Sequence, residues 1–282
     1  MLLKKDLYVK NPKKEDWGVG KVIENISGNI FNIFFINVGF KKFDKRNNPL
    51  VETSEVIEND IFLNLTDEHN DMFTTISELE KHFLQNYENG FNGKKYKDRE
   101  RIYKDEAHNL AIELLGQNKF KELLDTEQYQ EISLRALKII NKTNLIFPNE
   151  KMSFKDGLKE DLKIKQFSNL LFELLYSSEK EQLNFEKWIT FLESIEANKW
   201  TIASYFQFLI HPNKYIFIKP TITQEIAKIS AYDIKYTPKL NWNTFNKVQK
   251  FSKYFKNNIQ SLNPKDMIDV QSFMWCVSER NK

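Results

Sequence analysis

What this chain has little of bounds it first. One cysteine, Cys276, leaves no internal disulfide and no cysteine-based metal cluster, and fits a reducing compartment. The four histidines (His69, His82, His108 and His211) stand far apart in sequence. None lies three or four residues from another, so a helical His-Glu-x-x-His site is absent and neither metal nor cofactor is expected. His82 and His108 fall on expected helices and read as surface or half-buried residues rather than ligands. No G-x-x-x-x-G-K-[ST] loop occurs, and Gly18-x-Gly20 leads into strand-like sequence, so neither an ATPase loop nor a dinucleotide fold is supported. There is no G-x-S-x-G elbow, and Cys276 sits in an apolar terminal segment where a thiol is inert by default. The N-terminal M-L-L-K-K-D-L-Y lacks the apolar core of a leader, and no window approaches the roughly 18 apolar residues of a membrane span. The expected location is cytoplasmic, with no membrane partner. Only eight glycines and seven prolines interrupt 282 residues, which predicts long helices and short loops over most of the length.

What is present is ordinary globular material with unusual charge placement. The chain is 41% hydrophobic and 29% charged, and its 23 phenylalanines suit a large core. The net charge is only +3. Residues 211–265 nevertheless hold ten lysines against Glu225 and Asp233, a net of +8. Residues 1–48 carry ten basic and five acidic side chains, whereas 49–210 carry 20 basic and 29 acidic ones. Concentrated charge of one sign is a statement about a partner. The competing account is codon bias, since abundant Lys, Asn, Ile and Phe would follow from an AT-rich genome.

Residues 5–64 differ in texture from the rest. Short β-type runs, Leu7-Tyr8-Val9, Val19–Glu24, Ile30–Phe35 and Phe40–Phe43, are separated by turn signals, and Ile30/Asn32 alternate with Phe31/Ile33 as in a strand with one buried face. Such spacing implies a small barrel or sandwich. The motif W-G-V-G-K-V-I-E, followed by G-N-I-F-N-I-F-F and V-G-F-K-K-F, resembles a small bacterial SH3/Tudor-like barrel family of uncharacterised function. Similar patterns occur in Tudor-like tails of some bacterial DNA helicases and in RNA-polymerase-binding regulators. The resemblance covers about a fifth of the chain and implies a fold more than a function. Gly18 and Gly20 would permit a tight bend and close strand approach, with Trp17 plugging one end of the barrel or, alternatively, standing exposed for stacking.

From residue 66 the pattern is helical. Thr75-Ile76-Ser77-Glu78 reads as a capping box, opening a helix closed by N-G-F-N-G. Further helices are expected at 97–115, 118–124, 127–142, 161–177, 184–196, 200–210, 221–230, 243–261 and 264–276, with Pro148, Gly157, Pro212 and Pro220 as breaks. The expected layout is α+β: an SH3/Tudor-like β-barrel over 1–65, then an α-helical domain over 66–282, with a possible subdivision near 148–160.

Asp266 and Asp269, three apart in N-P-K-D-M-I-D-V-Q-S-F-M-W, are the most tempting acids for a paired-carboxylate site. The stronger reading makes them helix-start residues, with Asn263 capping, Pro264 in the first turn and both acids facing the positive end of the helix dipole. No catalytic residue is therefore assigned. The segments F-L-I-H-P-N-K-Y-I-F-I-K-P, N-W-N-T-F and D-M-I-D-V-Q-S-F-M-W are similar to a helical region of uncharacterised bacterial proteins, some defence-associated. That resemblance implies one folded unit over 200–277 and transfers no site residue. What remains for function is lysine. Lys214, Lys219, Lys235 and Lys239, interleaved with Tyr215, Phe217, Tyr232, Tyr236 and Trp242, precede Lys247, Lys250 and Lys253; Lys21, Lys41 and Lys42 lie in the barrel segment. Point charges of this kind bind phosphates, and exposed aromatics would stack on bases. The expected function is non-enzymatic binding of nucleic acid, DNA in preference to RNA, in genome maintenance or defence. One alternative is an adaptor that meets a protein partner through the barrel. Another is a nucleic-acid-processing enzyme using Asp266, Asp269 and His211.

Overall fold

In the computed structural model, which describes residues 3–47, 50–54, 60–66 and 73–278, the β-branched and aromatic runs near the N-terminus pair as antiparallel strands. They are β1 (Tyr8–Lys10), β2 (Val19–Ser27), β3 (Ile30–Phe35), β4 (Gly39–Asp44) and β5 (Val51–Glu52), in the order β4-β3-β2-β1-β5. β4 and β5 form the two edges, and among the described residues no pairing joins them, so the expected closure into a barrel is not part of the ladder. Register shifts between Val22 and Glu24 and between Asn25 and Ser27 bend β2. The motif glycines act as the sequence suggests. Gly18 has φ +71°, and a Cβ on Gly20 would lie 2.7 Å from the Phe35 ring. Trp17 is half-buried, edge-on to Phe35 at 5.1 Å, which makes it a packing residue.

β3 departs from the one-faced strand its alternation predicts. Phe31, Ile33 and Phe35 join Val9, Val22 and Phe43 in one cluster. On the opposite face Phe34 meets Phe40, Phe62 and Phe73, so both faces are covered. Phe62 comes from α1 (Asp60–Leu63), a short helix that carries no periodic signal of its own. Asn32 is trapped in this strand with 0% exposure, and neither its amide oxygen nor its amide nitrogen has a hydrogen-bond partner among the described residues.

The helices that follow are α2 (Ile76–Asn86), α3 (Lys94–Tyr96), α4 (Ile102–Leu115), α5 (Gln117–Asp125), α6 (Tyr129–Asn141), α7 (Pro148–Asp156), α8 (Asp161–Tyr176), α9 (Glu181–Ser194), α10 (Trp200–Ile210), α11 (Pro220–Ile229), α12 (Trp242–Asn258) and α13 (Met267–Val277). The capping box forms as expected, with Glu78 Oε2 accepting from Thr75 N at 2.8 Å and Thr75 Oγ1 from Glu78 N at 3.2 Å. Two helix boundaries correct the sequence reading. Pro148 and Gly157 are the first residue and the C-cap of α7, not breaks in a loop; proline suits that first position because its missing N–H would be unpaired there anyway. α13 starts at Met267, three residues later than expected, because Asp266 rather than Asn263 caps it. Asn263 instead takes a left-handed conformation after a short 3-10 turn.

Two compact units result, Met1–His82 with Gln224–Ile234, and Phe83–Thr223 with Lys235–Lys282. Backbone bonds from Thr74 N to Ile229 O, Thr66 N to Ala231 O and Asp233 N to Asn64 O tie 224–234 into the first unit. At the centre of the second unit, α10 is buried along its whole length, its polar Thr201, Ser204 and Gln207 included. Its Phe206 meets the rings of Phe154 and Trp188, and Phe154 in turn meets Phe167.

An orphaned buried amide costs about 1–3 kcal/mol, so Asn32→Leu is expected to stabilise the protein by about 1 kcal/mol or more in denaturant unfolding. A destabilised variant would show instead that the polar group is required.

Candidate functional site

A buried cluster of ionisable residues converges on the start of α13, with partners from α3, α4 and the turn between them. Between those two helices the chain passes through a π-helical turn, Lys97–Arg101. Such turns are rare and disturb the regular i→i−4 ladder. Arg101, at its end, is buried and grips α13. Its Nη1 donates to Asp266 Oδ1 at 2.8 Å and its Nη2 to Asp266 Oδ2 at 2.7 Å, a two-pronged contact. Nη1 also donates to Asp269 Oδ1 at 2.9 Å, and Nε to Asp105 at 2.9 Å. Tyr96 Oη adds a bond to Asp269 Oδ1 at 2.6 Å, and Lys265 N one to Asp269 Oδ2 at 2.7 Å. One turn further on, Lys104, also buried, donates to Ser272 Oγ at 2.7 Å and pairs with Glu100 at 3.2 Å.

Burial alone would lower the Arg101 pKa, but the carboxylates of Asp266, Asp105 and Asp269 outweigh it and hold the guanidinium protonated. Tyr96 is pushed well above the ordinary phenol range, by burial first and by the Asp269 charge second. For Lys104 burial wins over the single carboxylate of Glu100, and its pKa is lowered. Asp266 accepts from Ile268 N at 2.9 Å and Asp269 N at 3.3 Å as well as from Arg101. Both aspartates are thus occupied at the helix start, as expected, but Asp266 takes the cap expected of Asn263 and both pair with Arg101. Arg101, which engages them, and Lys104, which engages Ser272, were not among the residues expected to form a site.

Two clefts of the second unit lie against this cluster. The first, about 380 Å³, holds Arg101, Lys214 and Lys265 against Asp105, Glu181 and Asp266, an even balance. His108 and His211 line it too. His108 Nδ1 contacts Leu209 O at 2.5 Å and His211 Nε2 contacts Leu175 O at 2.8 Å. Carbonyls only accept, so each of these nitrogens carries a proton. Burial, with the nearby Lys214 and His108, lowers the His211 pKa despite the Leu175 carbonyl. The second cleft, about 490 Å³, is lined by Arg99, Lys104, Lys142 and Lys219 with Glu100 as the one carboxylate, and by Tyr103, Gln271 and Trp275.

The lysines singled out by the sequence are dispersed. Lys214 pairs with Glu181 at 3.2 Å and lies 4.7 Å from the Tyr215 ring centre. Lys219 sits between two rings, 4.7 Å from Trp275 and 5.3 Å from Phe147. Lys235, Lys239, Lys250 and Lys253 are exposed and Lys247 half-buried. In the first unit Lys21 is engaged by Asp6 and by the Phe62 carbonyl, each at 3.0 Å, Lys41 lies 5.9 Å from the Trp17 ring centre, and Lys42 is exposed. Of the interleaved aromatics, Tyr215, Phe217 and Tyr232 are buried, which corrects the idea that they stack on bases; Tyr236 and Trp242 are half-buried. Cys276 is buried and its thiol is pushed up to about 12 by that burial, which makes it unreactive. Among the described residues no group of three or more His, Cys, Asp or Glu could hold a metal, and no helix is long and apolar enough to cross a membrane. His69 lies outside the described residues. The exposed large apolar side chains of the first unit, Ile26, Val51 and Leu63, stand on three separate elements.

Removing one partner of a buried ion cluster leaves charge unpaired, so Arg101→Ala should destabilise the protein by about 3–5 kcal/mol in denaturant unfolding. Arg101→Lys should recover only part of this, because one ammonium cannot serve three carboxylates in the fork geometry. His211 generates a pH prediction. Its folded pKa lies below 6.5, so on acidification the unfolded chain takes up that proton first, and stability present above pH 6.5 is lost as the pH falls through the folded value. His211→Gln should flatten that part of a thermal-stability profile; an unchanged profile would assign the acid loss to other groups.

Residues 3–51 match a family described as a protein of unknown function (DUF3553), under a fifth of the chain. Neither the curated proteins nor the solved structures compared with this chain contain a match.

Proposed function

We propose that the chain is a non-enzymatic nucleic-acid-binding protein that contacts DNA through the lysines of α12 and of the segment before it. The observation that carries this reading is the charge on α12 itself. Asn241 caps the helix, its side chain accepting from Thr244 N at 2.8 Å, so its start is fixed. Phe245, Val248, Phe251, Ser252 and Phe255 are buried on one side. Lys247, Lys250, Lys253 and Lys256 occupy the remainder, and the 17-residue helix contains no acid. Four cations with no carboxylate on one helix repel one another, and a row of phosphates relieves that repulsion. Lys235 and Lys239, exposed on the approach to the helix, extend the same charge. The first unit, whose SH3/Tudor-like resemblance covers the matched family region, would serve as an auxiliary contact through Lys41 and Lys42. Enzymatic use of Asp266, Asp269 and His211 is disfavoured by the bonds that already fill the two carboxylates.

Contacts to phosphate without base readout give salt-dependent binding with little sequence preference. Fluorescence anisotropy with labelled duplex and single-stranded DNA is expected to show this. Each phosphate contact adds about 0.9 to the slope of log K against log salt on duplex, so Lys247→Glu/Lys250→Glu/Lys253→Glu should reduce the slope by about 3 and weaken binding at every salt concentration. Absence of binding at low ionic strength, or an unchanged slope in the triple variant, would sink the proposal.

A further inference from the structure

The geometry points to a second, separate binding site: the cleft between the π turn, the loop after α6, Lys219 and α13 takes a nucleoside phosphate, with the phosphate on its lysine and arginine side chains and the base against Trp275. Four observations lead there. The cleft encloses about 490 Å³, inside the ~300–1,000 Å³ range of small-molecule sites. Its lining carries Arg99, Lys104, Lys142 and Lys219 against Glu100 alone, whereas the neighbouring cleft balances three cations with three carboxylates. The excess is therefore a property of this cleft rather than of a lysine-rich chain.

The cations are also differently committed. Lys142 is paired with Glu106 at 2.8 Å on the surface, and Lys104 with Glu100 and Ser272 in the wall. Arg99 is exposed and forms no ion pair among the described residues. Lys219 lies between the rings of Phe147 and Trp275, an arrangement that restricts a flexible ammonium and weakens its hydration before any ligand arrives. A guanidinium and a pre-placed ammonium lining one cleft suit a tetrahedral dianion. Beside them is a half-exposed indole, the best side chain for a flat, electron-rich ring. Finally, Gln271 lines the same wall, 5% exposed, and its amide oxygen has no hydrogen-bond partner among the described residues. A buried acceptor left unpaired is costly, and a small rotation of the amide would meet an N–H donor such as the exocyclic amine of a base. A phosphate alone would use the cations and leave the Gln271 amide oxygen unpaired.

This inference does not rest on the α12 surface. Two sources share the chemistry, a free nucleotide and the 5′-phosphorylated end of a strand. Isothermal titration of the full chain with AMP, adenosine and inorganic phosphate is the first test. AMP is expected to bind, with adenosine and phosphate each weaker by about tenfold or more, the loss that goes with a charge-assisted bond or a stacked base. Arg99→Ala and Lys219→Ala, both at the cleft mouth, should each weaken AMP by about tenfold while leaving the melting temperature nearly unchanged. Trp275→Leu should abolish any AMP-induced quenching of tryptophan fluorescence. The Lys247→Glu/Lys250→Glu/Lys253→Glu variant should bind AMP as the parent does, so loss of the α12 surface and loss of this site are distinguishable. In that variant, preference for a 5′-phosphorylated oligonucleotide over its 5′-hydroxyl form would identify a strand end as the source, and equal weak binding of both would identify a free nucleotide. Binding of phosphate as tight as that of AMP, no saturable AMP binding up to about 5 mM, or AMP affinity unaffected by both alanine variants would overturn the proposal.

Discussion

Burial of the Arg101 guanidinium among three carboxylates is the constraint on which the second unit depends. Asp266 and Asp269 lie far along the chain from Arg101, so the cluster holds α13 against the π turn and α4 at one rotation and one height. A purely apolar contact could slide by a turn at modest cost. A forked guanidinium that reaches two carboxylates one helical turn apart cannot, because any other register strands a charge out of water. Such clusters add little net stability over a well-packed apolar alternative, and their effect here is positional. With α13 fixed, Asp266 faces one cleft, Gln271 and Trp275 face the other, and Lys104 stands in the wall of the second.

The same rigidity separates the two clefts electrostatically. Asp266 neutralises Arg101 on the side of the first cleft, where Glu181 also ties down Lys214 and Tyr215. On the other side Glu100 is the lone carboxylate of the lining, against Arg99, Lys104, Lys142 and Lys219. Over such short distances in a partly desolvated space, one carboxylate more or less decides the sign of the ion a cleft attracts. The chain's small net charge conceals this. Acid-rich helices elsewhere offset the lysines in the sum but not locally.

The elements were readable in the sequence where local rules govern. The W-G-V-G strand entry, the Thr75–Glu78 capping box, the helix over 200–210 and the inert Cys276 follow from short-range sterics, capping and composition. Misreadings occurred where distant residues decide. Phe62 and Phe73 convert β3 from a half-exposed to a two-faced strand, and nothing within Ile30–Phe35 announces them. Pro148 is a break and a helix start by the same chemistry, and only the packing around α7 selects between the two. Asn263 and Asp266 are both competent caps; Arg101 favours the latter by needing its carboxylate at the helix start. For the site, charge density along 211–265 located the lysines, yet it could not separate Lys219, held between rings, from Lys250, exposed on a helix. Nor could the spacing of Arg101, Lys104 and Asp105 reveal burial, since i, i+4 charge pairs are the usual pattern of a solvated helix.

A chain so poor in glycine can bind phosphate only in a particular way. Glycine-rich loops present rows of backbone N–H groups, which grip phosphate closely and need no flexible side chain to be ordered. With no such loop, the proposed sites must use long side chains, and ordering each of them costs rotamer entropy. The two sites meet this cost differently. On α12 Lys250 and Lys253 stand exposed, which suits a repeating polyanion where any phosphate within reach will serve. At the second cleft Lys219 is already restrained by Phe147 and Trp275, so less freedom remains to be lost on binding, and a single small ligand becomes affordable. The difference between an exposed and a restrained lysine, more than the number of lysines, is what distinguishes a surface for a polymer from a pocket for its monomer.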